Sequence, residues 1–255
     1  MPTYAAISHE LHRNKRWLRR TSLAFSKTDT VAPLFVNELA AALQAMPIAF
    51  VKQAQGFVLV VVMGLRSGEN LWVSAEGKWM AEYMPVTYRS SPFELLAVTG
   101  QEGQQVLCID EDCVTEGAEG EPFFYENGEV TAAVSEIFKL VKQFNASRQL
   151  TQNMCAVLAE HDLISPWKIG LKNGVEEQAV AGLYKIDEAV LNTLSDEVFL
   201  ILRQAGALPL VYSQLLSMQK MDSLAQRIQP PKAEPSTSAE TPSVASETFD
   251  FSGLY

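Results

Sequence analysis

The residues best equipped for chemistry fall together in GKWMAEYMPVTYRSSPFEL, residues 77–95, where Trp79, Tyr83 and Tyr88 accompany a lone Arg89. A guanidinium among aromatic rings grips a carboxylate or peptide by hydrogen bonding and stacking, so this set reads as a partner-binding anchor that Trp72 could extend. Met84-Pro85 and Ser91-Pro92 bias the residue before each proline toward extended geometry, so the stretch also reads as a rigid corner whose aromatics serve a core. The corner reading weighs more, with Arg89 as its functional residue. Asp110, at the end of QVLCID, and Asp187, before EAVL, are carboxylates that could pair with Arg89 in place of a ligand.

Other chemistry finds less support. CIDEDC offers clustered carboxylates, which suit hard cations, but it lacks the alternating spacing and glycine of a calcium loop, and its cysteines match no zinc pattern. No metal or cofactor is expected. Nucleophilic catalysis needs Ser or Cys with a histidine base. The chain has three histidines, His9, His12 and His161, and no GxSxG, while Cys108 and Cys155 lie in apolar contexts that suit core thiols. GQEGQQ and GAEGEP lack the spacing and strand-to-helix setting of a phosphate loop.

The elements that must position these residues follow from periodicity. Leu34, Phe35, Leu39, Leu43 and Met46 sit near helical spacing before Pro47. IAFVKQ leads to the valine-rich strand FVLVVVMGL, and the RSGEN turn brings back LWVSAEG as its hairpin partner. FELLAVT and QVLCID repeat the hairpin pattern. From Val130 to Glu160 apolar residues recur at three-four spacing, giving one long helix or two with a break at Asn145–Ser147. The Asn173-Gly174 turn joins PWKIGL to AVAGLYKID as a further hairpin. Short helices follow, with Asp187 and Ser195 as N-caps and Gly206 as a stop. The fold class is α+β: a largely antiparallel sheet of hairpins packed by helices, with a disordered C-terminal tail.

Residues 1–228 read as one globular domain that could subdivide near 129, residues 229–246 as a Pro/Ser/Thr-rich disordered linker, and residues 247–255 as an acidic-aromatic tail motif. Phe249, Asp250, Phe251 and Tyr255 make that tip either a tethered linear motif or a segment that folds back on its own domain. A formal net charge of −10 disfavours nucleic acid and anionic membrane. HELHRNKRWLRR (9–20) is locally basic and reads more readily as a solvated segment than as a docking patch, whereas nine acidic residues and no Lys or Arg lie between Glu102 and Glu129. No classical signal segment is recognised, the longest apolar run is about half of what spans a bilayer, and the cysteines form no disulfide framework, so a cytoplasmic location without membrane insertion is expected.

NLWVSAEGKWMAEYMPVTYRSSPFEL (70–95) and GLYKIDEAVLNTLSDEVFLILRQAGALPLVYSQLLSM (182–218), with APLFVNELAAALQAMPIAF and LCIDED, resemble the SapC family of bacterial proteins over most of residues 5–225. The resemblance is carried by Asn70-Leu71, Gly77-x-Trp79, Tyr83-x-Pro85, Arg89, Pro92-Phe93, Ile186-Asp187-Glu188 and Leu191. It implies an accessory protein of the kind encoded near outer-membrane TonB-dependent receptors, halogenase-like and cupin-like proteins, and it supplies no catalytic residues. Members commonly follow the arginine with a second basic or aromatic residue, where this chain has Ser90 and Ser91, which puts an anion-binding corner in doubt. The expected function is that of a cytoplasmic, non-enzymatic accessory protein that binds a protein or peptide partner, acting with outer-membrane receptor or peptide/protein-modification systems. The alternatives are an enzyme with an active site around Arg89 and nearby carboxylates, or a surface-layer-associated protein.

Overall fold

A computed structural model describes residues 3–98, 104–173 and 176–228, with side chains of 171–179 set aside. The tail residues Phe249, Asp250, Phe251 and Tyr255 lie outside the described residues. The strands are β1 (Tyr4–Ala6), β2 (Arg16–Trp17), β3 (Val31–Pro33), β4 (Ile48–Gln53), β5 (Gly56–Val62), β6 (Phe93–Ala97), β7 (Gln105–Asp110), β8 (Val114–Thr115), β9 (Glu121–Pro122), β10 (Ile164–Pro166), β11 (Ile169–Asn173), β12 (Glu176–Val180) and β13 (Leu183–Ile186). The helices are α1 (His9–His12), α2 (Leu39–Ala45), α3 (Val86–Arg89), α4 (Ala132–Glu160), α5 (Glu188–Leu191), α6 (Asp196–Gln204), α7 (Leu208–Ser217) and α8 (Lys220–Ala225). Every strand pair among the described residues is antiparallel, and the consecutive pairs β4–β5, β6–β7 and β11–β12 are hairpins, so the fold is α+β.

The described residues form two compact units, one within 3–23 and 86–149, the other within 24–85 and 150–228. In the first, β1-β7-β6 and β8-β2-β9 are separate three-stranded sheets. Strand alternation sorts β7: Leu107 and Ile109 point into a core of Trp17, Phe93, Phe123, Val134 and Val141, and Cys108 and Asp110 point to the opposite face. Trp17 meets Phe93 edge to face at 4.8 Å.

The second unit is built on the five-stranded sheet β10-β13-β4-β5-β3. Ile48–Val51 and Val60–Val62 are fully buried, which accounts for their continuous apolar run. Gln214 of α7, itself buried, donates to the Ile48 carbonyl at 3.1 Å and accepts from the Ile186 amide at 2.9 Å, satisfying both strands beyond the short β13–β4 ladder. Ser217 accepts from the Ile48 amide at 2.9 Å.

Three sequence expectations need correction or resolution. LWVSAEG is not a hairpin partner of β5, which pairs with β4 and β3. Residues 71–77 instead form turns with one bridge, Val73 to Trp79, because Asn70 accepts from the Trp72 amide at 3.0 Å and Gly77 turns the chain at φ 81°. The helix expected from Leu34 begins with a single tight turn at Val36–Glu38, leaving Leu34 and Phe35 outside it, and becomes α-helical only at Leu39. The segment from Ala132 to Glu160 is one unbroken helix, α4.

Candidate functional site

Two neighbourhoods hold the polar and aromatic chemistry, one in each unit. In the first unit the antiparallel register places Tyr4 opposite Asp110 and both Ala6 and Glu94 opposite Cys108, so Tyr4, Glu94, Cys108 and Asp110 share the face turned away from the apolar core. Asp110 is only 2% exposed and forms a salt bridge with the mostly buried Arg20, whose guanidinium also reaches Cys113 Sγ at 3.3 Å. Its other oxygen accepts from the Asp112 amide at 3.3 Å, capping the turn that leaves β7. A carboxylate this buried needs a paired cation, and Arg20 supplies it.

Beside this pair, Tyr4 and Glu94 lie on the same sheet face. Burial, then the charges of Glu94 and Asp110, push the Tyr4 phenol up to about 12, so it is a persistent proton donor. Burial also raises Glu94, with Arg148 and the Tyr4 hydroxyl pulling the other way. Burial raises the thiols of Cys108 and Cys155, the latter to about 12, which keeps them protonated and poor nucleophiles. Among the described residues, no three His, Cys, Asp or Glu side chains converge to hold a metal ion.

The basic N-terminal segment belongs to this neighbourhood rather than to a solvated lead-in. Arg16 donates to the Gly120 carbonyl at 2.8 Å, Arg19 pairs with Glu121 at 2.6 Å, and Arg20 pairs with Asp110. His12 is buried against Phe123, with ring centroids 4.8 Å apart. Tyr4, Arg20, Glu94 and Cys113 were not singled out from sequence. Charge complementarity between residues 9–20 and the acidic stretch 102–129 could have pointed to Arg20, whereas no sequence signal marks Tyr4, Glu94 or Cys113.

Arg89 closes the short helix α3, whose Val86 and Tyr88 are buried while Arg89 itself is exposed. Its guanidinium carbon stands 5.9 Å from the Phe144 ring centroid, at the edge of cation–π range. Neither carboxylate considered for it is placed as its ion pair: Asp110 is bound by Arg20, and Asp187 caps α5 by accepting from the Ala189 and Val190 amides at 3.1 and 3.3 Å.

In the second unit the corner is knitted by its own polar atoms. Asn70 donates to the Ser26 carbonyl at 2.9 Å, Trp79 Nε1 donates to the Tyr83 carbonyl at 2.8 Å, and the buried Tyr83 hydroxyl donates to Glu38 at 3.0 Å. Arg227 lies over the Trp72 ring at 3.9 Å. Trp79 and Tyr83 are thus brought together as braces of a turn. Across residues 70–93, Asn70, Gly77, Tyr83, Pro85, Pro92 and Phe93 are buried, Leu71 and Trp79 half-buried, and Arg89 exposed.

The sequence profile of the SapC family matches residues 7–224. No curated protein and no solved structure matches the chain.

Proposed function

The chain belongs to the SapC family, and from that premise we propose that it is a non-enzymatic accessory protein of the cytoplasm that binds an acidic protein or peptide through Arg89. The observation that carries this reading is the contrast among the motif residues between 70 and 93: Asn70, Gly77, Tyr83, Pro85, Pro92 and Phe93 are buried, whereas Arg89 is exposed. Buried Val86 and Tyr88 hold α3, so a partner carboxylate would meet a guanidinium already positioned over the apolar face of Phe144. That is the composition of a binding hot spot. Partners associated with outer-membrane receptor or protein-modification systems fit the family resemblance.

Replacing Arg89 with Ala in the full chain should leave the melting temperature within about 2 °C and reduce partner recovery in a tagged pull-down about tenfold or more. A large fall in thermal stability would instead make Arg89 a structural arginine, and unchanged recovery would refute the reading. One observation favours an enzyme as the second reading: Glu94 shares a sheet face with Tyr4, Cys108 and Asp110, where burial raises its pKa. It calls for a small molecule co-purifying with the native protein and lost in Glu94→Gln, a comparison native mass spectrometry makes directly.

A further inference from the structure

Helices α6 and α7 present apolar side chains that the fold does not cover. On α6, Phe199, Leu200 and Ile201 are 39–42% exposed, and only Val198 and Leu202, one turn apart, settle inward. On α7, Leu210, Val211, Gln214 and Ser217 are buried, while Tyr212 and Leu216, also one turn apart, are 47% and 59% exposed. The two helices are bent by 94° at the Ala205–Ala207 link. Five large exposed apolar side chains on consecutive helices exceed the scattered singles of an ordinary surface. α6 begins with Asp196 and Glu197 and carries one cation, Arg203, so it lacks the basic face of a membrane-surface helix.

We propose that this α6–α7 surface is the docking site of the chain's own C-terminal segment, residues 247–255. Composition argues for this occupant. Residues 229–246 contain no aromatic residue and no Leu, Ile or Met, whereas Phe249, Phe251, Leu254 and Tyr255 fall within the last seven positions. Length argues for it as well. The described chain reaches Ile228, just past α8 of the same unit, and the 18 residues 229–246 extend at most about 60 Å, with a coil span of roughly 25 Å. That reach covers a domain of this size, and a tether of this length sets an effective concentration on the order of millimolar. Charge is compatible at one end of α6. Arg203 follows Phe199 by one turn, so α6 offers a cation beside its exposed apolar side chains to a segment that carries Glu247 and Asp250. The segment would occupy apolar surface that a partner could otherwise use, a role separate from that of Arg89.

The test uses the full chain with a benzoylphenylalanine photo-cross-linker at Phe251. Expected is an intramolecular cross-link, in the monomer band, to peptides from residues 196–217. In the same chain Leu200→Arg, or Leu216→Arg as a second exposed position, should reduce that cross-link about tenfold with unchanged circular dichroism. Cross-linking only in a dimer band would assign the surface to a second copy, and capture of another segment, or of none, would equally overturn the proposal. So would a cross-link to 196–217 that survives both substitutions. Arg89→Ala leaves this readout unchanged, so loss of partner recovery and loss of tail docking are told apart.

Discussion

Arg19 and Arg20 are neighbours in sequence and opposites in environment. Arg19 pairs with Glu121 at the surface, 68% exposed, where screening and side-chain entropy leave such a pair worth at most about 1 kcal/mol. Arg20 compensates a carboxylate that water hardly reaches, so Arg20→Ala strands the charge of Asp110. We expect Arg20→Ala to cost stability near the lower end of about 3–5 kcal/mol, since Arg20 retains some exposure, and Arg19→Ala to cost less than about 1. Paired denaturant titrations check both. His12 offers a pH-dependent counterpart. Burial lowers its pKa from 6.5, so the unfolded chain takes up a proton before the folded one does. Its contribution is present above pH 6.5 and is lost as pH falls through the lowered folded value. His12→Gln should flatten this part of the stability profile, measured as denaturation midpoints between about pH 7 and 5. An equal slope in the variant would assign the dependence to other groups.

At the scale of elements, what holds the second unit together is a glutamine as much as an apolar core. Gln214 serves the Ile48 carbonyl and the Ile186 amide at once, so Gln214→Leu keeps the volume but strips two buried backbone groups. A loss of about 2–5 kcal/mol is expected, read as a fall in thermal midpoint, against about 1 kcal/mol for removing the α5 cap with Asp187→Ala. Elements written in short-range pattern were legible in advance. These include the hairpin β6–β7, the helical character of Ala132–Glu160 though not its continuity, the caps at Asp187 and Ser195, and the Gly206 stop at φ 70°. LWVSAEG was misleading because its alternation matches a strand, while the side chain of Asn70 captures the Trp72 amide and the β5 edge is already taken by β3. The candidate site was legible in part. The sequence marked Arg89 by its type but not its exposure, and Tyr83 could not be recognised as a brace until Glu38 was seen to receive its hydroxyl.

For the whole molecule, a net charge of −10 opposes binding to phosphate, and within the basic segment Arg19 and Arg20 are paired with Glu121 and Asp110. The full chain should co-sediment with neither duplex DNA nor anionic vesicles at about 0.15 M salt, and micromolar binding to either would contradict this. Family membership was readable from sequence, as were the α+β class and the local turns and caps, because these rest on residues close together in the chain. The division into units interleaves segments, 3–23 with 86–149 and 24–85 with 150–228, and no single composition change marks it. Arg20 and Asp110 lie 90 positions apart, and Gln214 and Ile48 lie 166 apart. Such pairings are set by strand register and burial, which exist only once the chain has closed on itself. So the tertiary structure alone decided that Asp110 answers to Arg20, that Tyr83 answers to Glu38, and that Arg89 is exposed.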